Sequence, residues 1–138
     1  RHESSDSAYD ASLSYDPENS YVLNNYSYFL SLRGERLEIA EQMSAKTLEK
    51  EPKNASYLDT YGWIQYRLGN YEEAKAHLKL ALEYGAKNSP EVLEHYGDTL
   101  FNLGEIEEAV LYWIQAKEKG AESKSIDQKI ESKRLSDN

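Results

Sequence analysis

The chain repeats itself at a period of 35 residues, and this internal repeat constrains the fold more than any other feature. Twelve positions keep their residue when residues 58–86 are laid over residues 93–121. They are Leu58/Leu93, Tyr61/Tyr96, Gly62/Gly97, Leu68/Leu103, Gly69/Gly104, Glu72/Glu107, Glu73/Glu108, Ala74/Ala109, Ala81/Ala116, Glu83/Glu118, Gly85/Gly120 and Ala86/Ala121. So many identities in so short a window make the repeat, rather than any single motif, the basis of the fold prediction.

An earlier copy of the same unit precedes these two. Up to Gly34 its residues precede their matches in the next copy by 35 positions, and from Ala40 onward by 34. The difference arises because the earlier copy has one extra residue in the turn GERLE. The matches are Leu23, Tyr26, Ser27, Gly34, Ala40, Leu48, Glu49, Lys53 and Asn54. Residues 8–19 resemble the end of a unit, so we expect an incomplete repeat before the first full one. The predicted divisions are 1–19, 20–54, 55–89, 90–123 and 124–138.

Each unit is predicted to form two helices. Leu58 and Tyr61 lie three residues apart at the helical spacing of the first helix, and Gly69 is suited to the turn that follows it. The second helix opens with glutamates, which suit a helix N-terminus, and carries Ala74 and Leu78 on one face. In the third full unit a proline, Pro90, opens the first helix.

The pattern L-x2-YG-x6-G-x4-A-x6-A, found at Leu58–Ala81 and again at Leu93–Ala116, resembles the tetratricopeptide repeat family. The first unit matches more loosely, with Ser27 and Thr47 at two small-residue positions. The resemblance covers about residues 5–123 and is closest to the C-terminal repeats of longer bacterial proteins of this family. It implies an all-α fold, a right-handed superhelical stack of antiparallel helical hairpins.

The last segment, residues 124–138, carries two isoleucines four residues apart, Ile126 and Ile130, with charged residues between them. This spacing predicts a capping helix that is apolar inside and polar outside, as the end of a repeat stack requires. Because the apolar stripe is short, a disordered charged tail stays open as the alternative.

No catalytic, cofactor or metal site is predicted. The phosphate-binding, zinc-binding and nucleophile motifs are absent, and a chain without cysteine has neither disulfides nor thiolate ligands. His77 and His95 have no second histidine at a metal-binding spacing, so both are interpreted as structural or surface residues. The paired glutamates recur at equivalent positions, which indicates helix starts rather than an acid/base pair. We therefore expect no enzyme activity here, unless a catalytic domain lies elsewhere in a longer protein.

The charge distribution and the lengths of the apolar runs limit the classes of partner that we expect for this chain. Residues 1–116 hold 10 Lys/Arg and 20 Asp/Glu, a net charge of -10, within a chain total of -9. Such an acidic body argues against nucleic acid, whose phosphates are bound by lysine and arginine. No apolar run approaches the roughly 20 residues that span a bilayer, so we expect no direct membrane insertion by this segment. Both the cytoplasm and the cell envelope stay open as locations.

What remains is a surface for protein binding. The family resemblance implies that the first helices line a concave groove. The helical rotation of about 100° per residue predicts which of their residues face it. The predicted partner-binding residues are Asn24, Tyr28, Asp59, Trp63, Tyr66, Arg67, Glu94, Asp98, Phe101 and Asn102. For Tyr66 and Phe101 the alternative is filling space between hairpins, whereas Trp113, aligned with Leu78, is expected in the core. We expect a protein–protein interaction module that binds a peptide, a helix or a protein surface.

The predicted groove also indicates the character of its partner. Some members of the family bind acidic C-terminal tails through lysine, asparagine and arginine, but here Arg67 is the single cation among the predicted groove residues. An apolar or basic protein or peptide therefore fits better. The alternative is a structural segment of a longer repeat protein that self-associates through an open N-terminal edge.

Overall fold

The computed structural model describes residues 2–122 and 124–135, and the side chains of residues 6–122 and 124–135. Within these ranges there are eight α-helices and no strand. The helices are α1 His2–Tyr15, α2 Ser20–Arg33, α3 Leu37–Lys50, α4 Ala55–Arg67, α5 Tyr71–Ala81, α6 Pro90–Asn102, α7 Ile106–Glu118 and α8 Ile126–Ser132. A π-helical turn, Leu82–Ala86, continues α5. The predicted all-α fold is confirmed.

The helices pack as successive hairpins. The strongest contacts join α2 to α3, α4 to α5 and α6 to α7, and each second helix also packs on the next first helix. The first helices α2, α4 and α6 follow one another along one side of the stack, while α1 packs on α2 and α8 packs on α7. This is the helical-repeat arrangement that the 35-residue period predicts.

Local sequence explains where the helices begin and end. Asn19, Asn54 and Ser89 cap α2, α4 and α6, each accepting a hydrogen bond from a backbone N–H three residues on. Gly34 ends α2 with a φ of 70°, a left-handed conformation that glycine adopts at little energetic cost.

The hairpins close around small residues. A Cβ built on Gly62 would lie 2.8 Å from Leu78 Cγ, and one built on Gly97 would lie 2.6 Å from Trp113 Cδ1. These two glycines, one repeat period apart, therefore mark points where a first helix lies directly against a large side chain of its second helix. Trp113 is fully buried, which confirms its predicted place in the core.

The predicted capping segment has 15 residues, but its helix, α8, covers only Ile126–Ser132. Parts of three predicted segments, residue 1, residue 123 and residues 136–138, lie outside the described residues. No helix in the described part of the chain is long and apolar enough to span a membrane.

Candidate functional site

The predicted partner-binding residues all lie on α2, α4 and α6, and we call the surface that these residues share the inner face. One contact crosses it. The Tyr28 hydroxyl on α2 donates a hydrogen bond to the Glu91 carboxylate at the start of α6, although α4 lies between these helices. Burial and the neighbouring Glu91 raise the pKa of Tyr28, so this hydroxyl remains a neutral donor. This contact therefore bridges α2 and α6 across α4.

Trp63 forms the centre of the inner face. Its ring stacks on His95 at a centroid distance of 3.9 Å and on Tyr66 at 4.3 Å, with the planes within 15° of parallel in both cases. The indole is half-buried, and its orientation is determined by these two rings. The structure thus gathers two predicted residues around a histidine that sequence reasoning interpreted only as structural or surface.

His95 is held in this stack by a carboxylate from the preceding repeat. Its Nδ1 lies 3.0 Å from Asp59 Oδ1, and both side chains are buried. Burial alone would lower the pKa of His95, but the charge and hydrogen bond of Asp59 raise it above its ordinary value, with smaller contributions from Glu91 and Asp98. Asp59 therefore favours the protonated imidazole, whose charge opposes that of the acidic inner face.

The other end of the inner face is occupied by α8. Lys129 Nζ lies 2.6 Å from Glu94 Oε2 and 2.9 Å from Asp98 Oδ1, and the lysine is only 7% exposed. Burial alone would lower the pKa of Lys129, but Asp98 and Glu94 raise it, so the ammonium stays charged. Two predicted groove carboxylates are thus already paired within the chain, by a residue that the sequence analysis did not single out.

Tyr66 and Asn102 connect adjacent hairpins, whereas Phe101 contacts its own second helix. Asn102 Nδ2 donates to Tyr66 Oη at 3.0 Å, and the Phe101 ring lies 6.0 Å from that of Trp113 on α7. All three are half-buried. Tyr66 thus makes a contact between hairpins and also supports Trp63.

Asn24 and Arg67 lie apart from these clusters. Asn24 is buried, and its Oδ1 has no hydrogen-bond partner in the structure. Arg67 is exposed; a Cβ built on Gly34 would lie 2.5 Å from its Nη2, so the guanidinium packs against the end of α2. A cation suits the negative end of a helix dipole.

A signal for the missed histidine exists in the repeat register. His95 follows Asp59 by 36 residues, one more than the period, and Asn102 follows Tyr66 by the same 36 residues. Lys129 follows Glu94 by 35. Side chains on consecutive first helices therefore meet about one period apart, so an acidic residue followed by a basic one at this offset predicts an inter-repeat pair.

The inner face is suited to contact with another molecule. In residues 2–122 and 124–135 no group of three or more His, Asp or Glu side chains could hold a metal ion. The buried carboxylates Asp59 and Asp98 accept hydrogen bonds from His95 and Lys129. What the inner face offers a partner is aromatic surface around Trp63 with acidic groups beside it.

A tetratricopeptide repeat family model matches residues 55–88. Residues 55–88 form a tetratricopeptide repeat. No curated protein matches the chain. Among solved structures, the fold is similar to the first such domain of Spaghetti (RPAP3) bound to an HSP90 peptide, with a TM-score of 0.74, 17% identity, and 86% of this chain and 92% of that one covered.

Two other structures show the same fold. The second tetratricopeptide repeat domain of human RPAP3, in complex with an HSP70 peptide, gives a TM-score of 0.71 at 14% identity, covering 85% of this chain and 97% of that one. Pseudomonas aeruginosa pilF gives 0.71 at 22% identity, covering 93% of this chain and 62% of that one. At these identities the likeness concerns the tetratricopeptide repeat fold.

Proposed function

We propose that this tetratricopeptide repeat chain is a protein–protein interaction module that binds a peptide or a helix on its inner face. The observation that carries the proposal is the stack of Trp63 with His95 and Tyr66. An aromatic ring that is held in one orientation before binding loses little conformational entropy on contact, and such rings are typical anchors of interfaces. The proposal assigns no catalytic residue to the chain.

The charges of the inner face support an apolar or basic partner. The two RPAP3 domains were solved with the peptides SRMEEVD and SGPTIEEVD, which carry acidic residues near their C-termini. Here the carboxylates on or beside the inner face outnumber their basic partners, His95 and Lys129, so negative charge remains in excess even with both pairs formed. These carboxylates are Asp59, Glu91, Glu94 and Asp98. An acidic tail would meet like charge, whereas a basic or apolar segment would not.

An array of immobilised peptides that differ in charge and apolar content tests the proposal. We expect the chain to bind basic and apolar peptides, and Trp63→Ala to weaken this binding by roughly thirtyfold, the effect of losing a 2 kcal/mol anchor. Leu111→Ala is the matched control, because Leu111 is 56% exposed on α7, away from the inner face. Circular dichroism checks that both variants keep their helices. Unchanged binding by Trp63→Ala would rule Trp63 out of the site.

A second candidate, self-association, is favoured by aromatic rings at the N-terminal end of the stack. Tyr15 at the end of α1 is 94% exposed and Tyr21 at the start of α2 is 71% exposed. Tyrosine is enriched at protein interfaces because its ring is apolar and its hydroxyl can face water. Sedimentation at several concentrations separates the two proposals: a mass that rises with concentration, and that Tyr15→Ser with Tyr21→Ser abolishes, supports self-association, whereas a constant monomer mass contradicts it.

A further inference from the structure

The inner face of α6 contains a buried site that holds a lysine ammonium. Lys129 Nζ lies 2.6 Å from Glu94 Oε2, and 2.9 and 3.2 Å from the two carboxylate oxygens of Asp98. The same nitrogen lies 5.9 Å from the centre of the Trp113 ring. Two carboxylates and an aromatic ring around one ammonium are the groups that recognise a primary amine in proteins.

The site is built without any contribution from α8. Trp113 Nε1 on α7 donates a hydrogen bond to Asp98 Oδ1 at 2.9 Å, so the carboxylate is oriented by its own hairpin. Trp113 itself is fully buried against Gly97. The α6–α7 hairpin therefore orients the Asp98 carboxylate without Lys129, and α8 places its lysine beside a carboxylate that is already oriented.

α8 depends on its contacts with the repeats for its structure. It has seven residues, fewer than an isolated helix needs to be stable in water. Ile126 and Lys129 are buried, Ile130 packs on the core at partial burial, and Asp127 forms an exposed salt bridge with Lys117 on α7. Because two carboxylates face a single ammonium, the occupied site keeps an excess negative charge that a partner with more than one cation would neutralise better.

We propose that Glu94, Asp98 and Trp113 form a primary-ammonium subsite of the inner face, which Lys129 occupies as an internal ligand. A lysine side chain of a basic partner takes this subsite when α8 leaves it. The first statement stands on the α6–α7 geometry alone, whereas the second rests on the proposed function. α8 is then both the cap of the repeat stack and a cover that a partner displaces.

Chemical rescue tests the subsite without any partner. In the full chain, Lys129→Ala leaves Glu94 and Asp98 without their cation, so we expect a lower Tm than that of the wild type. n-Butylammonium, which carries the alkyl chain and ammonium of lysine, should raise this Tm by several degrees more than tetramethylammonium at equal ionic strength. The wild type, and Lys129→Ala combined with Asp98→Asn, should show no such difference. Equal effects of the two cations on Lys129→Ala would overturn the subsite.

Hydrogen exchange of the wild-type chain tests the displacement, and needs no variant to fold. Tetralysine amide is the probe, and a tetraserine amide is its uncharged control. We expect tetralysine to speed the exchange of the α8 amides at least threefold, with less effect in Glu94→Gln. Binding of tetralysine that depends on Trp63 but leaves α8 exchange unchanged would overturn the displacement and leave the proposed function standing. Absence of tetralysine binding alongside successful rescue would also overturn the displacement.

Discussion

Asp59 on α4 and His95 on α6 form a buried pair, 3.0 Å apart, that joins two consecutive repeats beneath the Trp63 ring. The pair shows how this chain uses polar groups on its inner face. A carboxylate predicted to meet a partner also contacts the neighbouring first helix. The Trp63 ring stacks on the His95 of that pair, so the proposed binding surface and the packing of the repeats use the same side chains.

The first prediction concerns pH. The pKa of His95 is raised in the folded chain, because Asp59 outweighs the effect of burial. A raised pKa means that the protonated pair stabilises the fold fully below about pH 6.5, the unfolded value, and that this contribution is lost as the pH rises through the folded value. Asp59→Asn should bring the pKa of His95 down and reduce the dependence of stability on pH. NMR titration of the imidazole protons measures the first effect, and urea unfolding at several pH values measures the second.

His77 provides a control for the fold in that experiment. Its Nδ1 contacts the backbone oxygen of Glu73 on α5, away from the Asp59–His95 pair, so unchanged His77 signals at one pH show that Asp59→Asn keeps the fold. If the titration of His95 did not move in the variant, Asp59 would not be the source of the raised pKa.

The second prediction concerns the close approach of α6 and α7. A Cβ on Gly97 would lie 2.6 and 2.7 Å from two atoms of the Trp113 ring, which is fully buried. Overpacking of this kind costs about 1–3 kcal/mol, while alanine gains about 1 kcal/mol over glycine in a helix. We expect Gly97→Ala to lower the free energy of unfolding by about 1 kcal/mol, measured by urea titration.

Gly62→Ala is the matched comparison, since its Cβ would meet the Cγ atom of Leu78 at 2.8 Å rather than a tryptophan ring. A leucine side chain can change rotamer more readily than an indole can shift, so the loss should be smaller. A chain made more stable by Gly97→Ala would show that the hairpin has room at this point.

The third prediction concerns a buried hydroxyl in the first full repeat. Ser44 Oγ is buried without a hydrogen-bond partner, at the position where the next repeats have Leu78 and Trp113. An unsatisfied buried hydroxyl is penalised by about 1–3 kcal/mol. We therefore expect Ser44→Ala to raise the free energy of unfolding by about 1 kcal/mol, as measured by chemical denaturation.

Thr47 offers a control one turn further along α3. Its Oγ1 is also buried but donates to the Ser44 carbonyl oxygen at 2.6 Å. Thr47→Val removes this hydrogen bond while keeping the side-chain volume, so it should destabilise the chain by about 0.5–1.5 kcal/mol. Destabilisation by Ser44→Ala of the same size would mean that its hydroxyl finds a partner in solution.

Glu94 and Asp98 illustrate what the sequence predicts about the inner face and what it does not. Helical periodicity puts Glu94 and Asp98 on one face of α6, because 3.6 residues per turn depends only on α6 itself. Periodicity within α6 does not reveal that Lys129 contacts them, because Lys129 lies on another helix, 35 residues after Glu94 and 31 after Asp98. The same holds for Trp63, whose place on α4 is predictable and whose stacking on His95 is not.

The sequence by itself determined the repeat, the helix ends and the small-residue contacts within each hairpin. These features depend on neighbours along the chain, and Gly62 and Gly97 mark them at a fixed interval. Only the tertiary structure decided which inner-face charges are available to a partner. That outcome depends on how first helices from different repeats, and α8, come together, and a side chain's neighbours across helices are set by packing rather than by its own helical position.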